Sequence, residues 1–64
     1  MIITMIKQEI QRLVSILQSL TLQRINAVRE GRQSEAVQIQ SVQVDIDNKI
    51  QELELMLELD RVTS

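Results

Sequence analysis

Residues 29–35 read REGRQSE, and the fold turns on Gly31 within them. It is the only glycine in 64 residues, the chain has no proline, and the break falls almost midway between two apolar-periodic stretches of similar length. Glycine has no Cβ to clash in the left-handed conformation that ends many helices, so Gly31 is the natural C-cap of the first stretch. Ser34 is a good N-cap for the second stretch, and Glu35 in the next turn suits the positive end of the helix dipole. A connection of three residues, 31–33, forces the two segments to pack antiparallel.

Working back from the turn, apolar side chains step as Ile3, Ile6, Ile10, Leu13, Leu17 and Leu20, with Arg24 and Ala27 continuing the rhythm. Alternating steps of three and four are the seam of a heptad pattern. Val14, Ile16 and Val28 widen that stripe, and the positions between are mostly Gln, Glu, Lys and Arg, which favour helix. The spacing predicts a helix over about 4–30, with Thr4 as its cap.

Working forward, residues 36–46 (AVQIQSVQVDI) place β-branched residues at near-alternating positions, a strand signal. Yet Ile39, Val42, Ile46, Ile50, Leu53 and Leu57 also step by three and four, and the set runs on to Leu59. A strand would account for eleven residues and lack a partner, whereas a helix accounts for about 34–60. The fold class is therefore all-α: one domain over 1–64, an antiparallel, coiled-coil-like helical hairpin.

Composition narrows what such a hairpin can do. There is no His, Cys, Phe, Tyr or Trp, so a nucleophile–His pair, thiolate metal sites and base-stacking platforms are excluded. Serines 15, 19, 34, 41 and 64 have no activating base, and a single glycine makes no phosphate loop. The carboxylates Asp45, Asp47, Glu52, Glu54 and Glu58 lack the spacing of a calcium loop and read as a solvated helix face. Neither a metal nor a cofactor is called for, and the chain is read as non-catalytic. Met1–Ile6 is too short an apolar run for a signal peptide or a membrane span, which gives a cytoplasmic expectation.

Charge separates by half. Residues 1–33 carry a net +3, residues 34–64 a net −5, and the whole chain −2. Opposite signs favour pairing of the two arms, within one hairpin or between copies, more through orientation than through added stability.

More aliphatic surface is present than two helical stripes can bury. Leu22 and Ile25 on the first arm, and Val37, Val44, Leu55, Leu59 and Val62 on the second, fall off the stripes. Folding about residue 32 sets Leu22 and Ile25 level with Val42 and Ile39, a surplus zone near the turn. A chain this small without disulfides gains stability by burying such surface against another copy. The expectation is a homodimer forming a four-helix bundle, with Leu22, Ile25, Val37, Val44, Leu55 and Leu59 at its interface. Arg29 and Arg32 at the turn are then candidates to contact a further protein. Arg24 and Lys49 are read as seam residues whose stems carry their charges to the edge.

Two resemblances bear on function. Ser41-Val42-Gln43-Val44-Asp45 resembles the Ser-Gln-x-Leu-Asp motif of small helical-hairpin aspartyl-phosphate phosphatases acting on sporulation response regulators. Ser and Asp keep their separation, ten residues beyond the glycine, while Val42 and Val44 replace the Gln and Leu. The resemblance implies Asp45 as the functional carboxylate. In size and turn placement the chain also resembles the homodimeric RNA-binding hairpins of the Rop family of plasmid copy-number regulators. Lys7, Gln8, Gln11, Arg12 and Gln18 would then meet phosphates and sugars. A net −4 for two chains weighs against nucleic acid as the partner. A regulator, adaptor or inhibitor that binds another protein is the leading expectation.

Overall fold

The computed structural model describes residues 2–63. It contains two helices, α1 (Ile2–Arg29) and α2 (Gln33–Thr63), joined by Glu30, Gly31 and Arg32 and packed against each other along their length. The β-branched run 36–46 is helical throughout. Met1 and Ser64 lie outside the described residues. The hairpin is a rod, 50 × 15 × 10 Å. Its radius of gyration, 14.9 Å, exceeds the ~11 Å typical of a compact chain of this length.

The turn is a Schellman motif. Gly31 adopts φ +79°, its N–H donates to the Val28 carbonyl at 3.1 Å, and the Arg32 N–H donates to the Ala27 carbonyl at 2.7 Å. These two bonds satisfy carbonyls that the end of α1 would leave bare. The chain re-enters a helix at once, for the Ala36 N–H already donates to the Arg32 carbonyl at 3.0 Å. Arg32 therefore takes the N-cap position expected of Ser34, which sits inside the first turn of α2. The connection is 30–32 rather than 31–33. Thr4 likewise lies inside α1, which starts at Ile2, and α2 runs past residue 60 because nothing there breaks it.

The α1 seam follows the heptad reading from Ile6 on, with Ile6, Ile10, Leu13, Leu17, Leu20, Arg24 and Ala27 all buried or half-buried, whereas Ile3, near the open end of the rod, is exposed. The α2 seam does not. Its buried and half-buried positions are Ala36, Ile39, Gln43, Ile46, Ile50, Leu53 and Leu57. Val42 is exposed, and Gln43 takes its place. Lys49 also lies outside the seam, exposed and 3.9 Å from Glu52. The reason is phase. Ala27 and Ala36 are both buried where the helices enter and leave the turn, and from Ala36 only a strict alternation of three and four keeps α2 on the α1 seam.

The core proper is thin. Leu13, Ile50 and Leu53 form its centre, with Ile6, Ile10, Leu17 and Ile46 packed around them. Nearer the turn the half-buried Leu20 and Ile39 share the inward positions with small or polar residues: Arg24 and Ala27 on α1, Ala36 and Gln43 on α2. Gln43 is accommodated by donating from Nε2 to the Thr21 hydroxyl at 2.8 Å, while that hydroxyl donates to the Leu17 carbonyl at 2.9 Å. The Thr21–Gln43 bond places equal numbers of residues on either side of residue 32, the expected fold-over point.

Candidate interaction surface

Each helix has two flanks beside its seam. On α1, Lys7, Val14, Thr21 and Val28 each follow a seam residue, whereas Ile2, Glu9, Ile16 and Gln23 each precede one. Antiparallel packing puts Gln40, Asp47, Glu54 and Arg61 of α2 beside the first set, and Val42, Lys49 and Met56 beside the second. Two surface hollows bear this out: Lys7 shares one with Glu54 and Arg61, and Ile2 shares the other with Met56.

The predicted interface residues are all exposed, from 44% for Ile25 to 65% for Leu22 and Val37, but they do not form one surface. Ile25, Val37 and Val44 belong to the first face, in its turn half, together with Val28. Leu22 lies three residues before Ile25 and extends that ridge toward the outside of α1. Leu59 lies at the opposite end of the rod on the second face, in a hollow with Ile2, Ile3, Ile6 and Met56. Leu55 projects from the outer side of α2. Val42, level with Leu22, is on the second face, so Val37 and Val44 rather than Val42 complete the zone near the turn.

Arg24 occupies the middle of that turn-half zone and lines three hollows. One holds Val28, Ala36, Val37 and Gln40; the next Thr21, Gln40, Gln43, Val44 and Asp47; the third Ile25 and Val28. Its stem does not carry the whole guanidinium to the edge of the seam. The Nε atom is shut off from water and has no hydrogen-bond partner. A buried donor on a cation left without an acceptor is costly, and the hairpin alone does not supply one. Sequence spacing located Arg24 at the seam, but whether its donors reach an acceptor depends on side chains brought together only by folding.

The two turn arginines differ. Arg29 is exposed. Arg32 bridges Glu30, at 2.5 Å, and Glu35, and the bond to Glu30 foremost holds its guanidinium protonated to higher pH than usual. Arg32 is thus engaged in fastening the turn to the start of α2. On the rod's other half, Arg12 bonds Glu9 at 2.5 Å and holds that carboxyl below the usual carboxylate range.

Asp45 and Ser41 are exposed on α2. Among the described residues no group of three or more carboxylates is placed to hold a metal ion. No helix there is long and apolar enough to cross a membrane. Comparison with protein families, with curated proteins and with solved structures yields no match for this chain.

Proposed function

We propose that this hairpin is a non-catalytic protein–protein interaction module, a small regulator, adaptor or inhibitor that works as a self-associated helical bundle. The observation that carries this reading is the balance of surfaces. The chain exposes 5113 Å², about 900 Å² more than the ~4200 Å² typical of a compact 7.4 kDa protein. That excess matches the ~800 Å² each partner contributes to a stable interface. Leu22, Val37, Leu55, Leu59 and Val62 are each more than half exposed, while among hydrophobic residues only Leu13, Ala27, Ala36, Ile50 and Leu53 are buried in the hairpin. Two hairpins joined by their apolar faces make a four-helix bundle, leaving the turn and polar outer faces for a different protein.

The test is absolute mass in solution by size-exclusion chromatography with light scattering. Refractive-index detection is required, since the chain has no aromatic residue. Mass near twice 7.4 kDa is the expected result. A stable, helical monomer at every concentration would overturn self-association.

A further inference from the structure

We propose that the second face is a two-fold interface between copies of this chain, its axis parallel to the rod, in which Arg12 of each copy pairs with the partner's Glu52 and Met5 packs on the partner's Leu59. This rests on the self-association reading above and specifies which flank meets which, and in what register.

The register follows from the hairpin itself. Thr21 and Gln43 are bonded across the two helices, and Ala27 and Ala36 are both buried beside the turn, so residues whose numbers sum to about 64 stand level. A two-fold parallel to the rod keeps every level and lays α1 of each copy on α2 of the other. The outer row of the second face on α1 is Met5, Arg12, Ser19 and Asn26, each three residues beyond Ile2, Glu9, Ile16 or Gln23. The row on α2 is Asp45, Glu52 and Leu59, three beyond Val42, Lys49 and Met56, with Gln38 one heptad before Asp45. All eight are exposed in the hairpin. Level partners across the axis are then Met5 with Leu59, Arg12 with Glu52, Ser19 with Asp45 and Asn26 with Gln38. Apolar meets apolar, cation meets anion, hydroxyl meets carboxylate and amide meets amide.

The charges also join up. Glu9 holds Arg12 at 2.5 Å, and Lys49 stands 3.9 Å from Glu52. Setting Arg12 on the partner's Glu52 links these short pairs into one chain of alternating sign, formed twice per dimer. A centred two-fold across the rod would instead lay each helix on its own copy, with Lys49 beside Lys49 and Asp45 against Glu52, which like charge opposes. On the first face the rod-parallel operation matches Lys7 with the partner's Glu54 and Ile25 with its Val37. It also sets Val14 against the partner's Asp47, and Val44 beside its Gln18 and Thr21. A carboxylate pressed on an aliphatic side chain twice per dimer is costly. Self-complementarity therefore selects the second face, and the zone of Ile25, Val28, Val37 and Val44 stays outside this contact.

The interface is tested with two charge reversals, Arg12→Glu and Glu52→Arg, made in separate chains. Alone, each sets like charges against each other twice per dimer, and its dissociation constant should rise by about tenfold over the parent. Mixed in equal amounts they form a heterodimer in which both pairs are again opposite in sign. Its dissociation constant should return to within about threefold of the parent's. Val37→Glu, on the first face, should stay within about threefold of the parent. Mass by light scattering and helicity by circular dichroism are read together, so a variant that unfolds when alone still reports through recovery in the mixture. If the mixture gains nothing over either reversal alone, or Val37→Glu disperses the assembly while Arg12→Glu does not, this interface is wrong and self-association stands. If the parent itself is monomeric, both fall.

Discussion

Replacing Gly31 by alanine isolates one energetic contribution of the turn. An added Cβ at Gly31 meets nothing within 4 Å, so the substitution introduces no clash with the rest of the hairpin. What it does introduce is crowding between Cβ and the local backbone at φ +79°, worth ~1–2 kcal/mol for an L-residue. Alanine also stiffens the unfolded chain, which offsets ~0.4–1 kcal/mol of that. The net loss is about 1 kcal/mol per turn, which for a domain of this size lowers the melting temperature by ~4–8 °C. A hairpin that unfolds as a pair contains two such turns, so the loss per cooperative unit is about 2 kcal/mol. The decisive companion is D-alanine at the same position, introduced by chemical synthesis. It prefers positive φ, escapes the crowding and keeps the unfolded-state gain, so it should stabilise by ~0.4–1 kcal/mol. The assay is thermal unfolding followed by circular dichroism at 222 nm, at one fixed chain concentration. Opposite signs for the two enantiomers support a strain confined to the backbone. Destabilisation by both would show that the methyl group itself is not accommodated, and no effect of L-alanine would show that the turn is not left-handed at Gly31.

Three further perturbations address the core and the charges. Ile50→Ala, at the centre of the buried cluster, should cost ~2–5 kcal/mol in urea unfolding and leave little folded hairpin, whereas exposed Gln38→Ala should stay within ~0.5 kcal/mol. Ala27→Leu, at a fully buried position where the arms leave the turn, should force them apart and cost ~1–3 kcal/mol, seen as a lower melting temperature. Glu9→Gln should lower the melting temperature slightly at neutral pH. Arg12 depresses the carboxyl pKa in the folded state, so the contribution is present above the unfolded pKa and lost as pH falls through the folded one. Parent and Glu9→Gln should therefore converge on acidification, and a gap that persists once the Glu9 carboxyl is protonated in both folded and unfolded states would refute the ion pair as its cause.

The α1 seam, the glycine turn and the antiparallel order were legible because each rests on a local signal: an uninterrupted three-four spacing, and a single residue suited to positive φ. The α2 seam was half legible. From Ile39 the next seam residue lies three or four positions on, and hydrophobicity selects Val42 over Gln43. Folding selects Gln43, since the phase of α2 is fixed by the three-residue connection and by two alanines that let the arms close on each other. The signal was in the sequence: counting three and four strictly from Ala36 passes through Gln43 and reaches Ile46, Ile50, Leu53 and Leu57 without a break.

That single step decides where the surplus apolar surface goes. With Gln43 in the seam, Val42 moves out onto the second face, and Val37 and Val44, expected off the stripe, complete the zone near the turn on the first. Around the turn the usual distribution is then partly inverted: beside the half-buried Leu20 and Ile39, Arg24, Ala27, Ala36 and Gln43 lie inward, while Ile25, Val28, Val37 and Val44 lie outward. A hairpin selected only to be stable by itself would gain by exchanging these sets, because aliphatic side chains contribute most where water is excluded. The inversion is favourable only if the outward set is covered. A polar inward layer also leaves the buried Nε of Arg24 without a hydrogen-bond partner, a further cost to the isolated hairpin. If a second copy supplies that cover, helicity should fall cooperatively on dilution, and helicity that holds at every concentration would show that it does not.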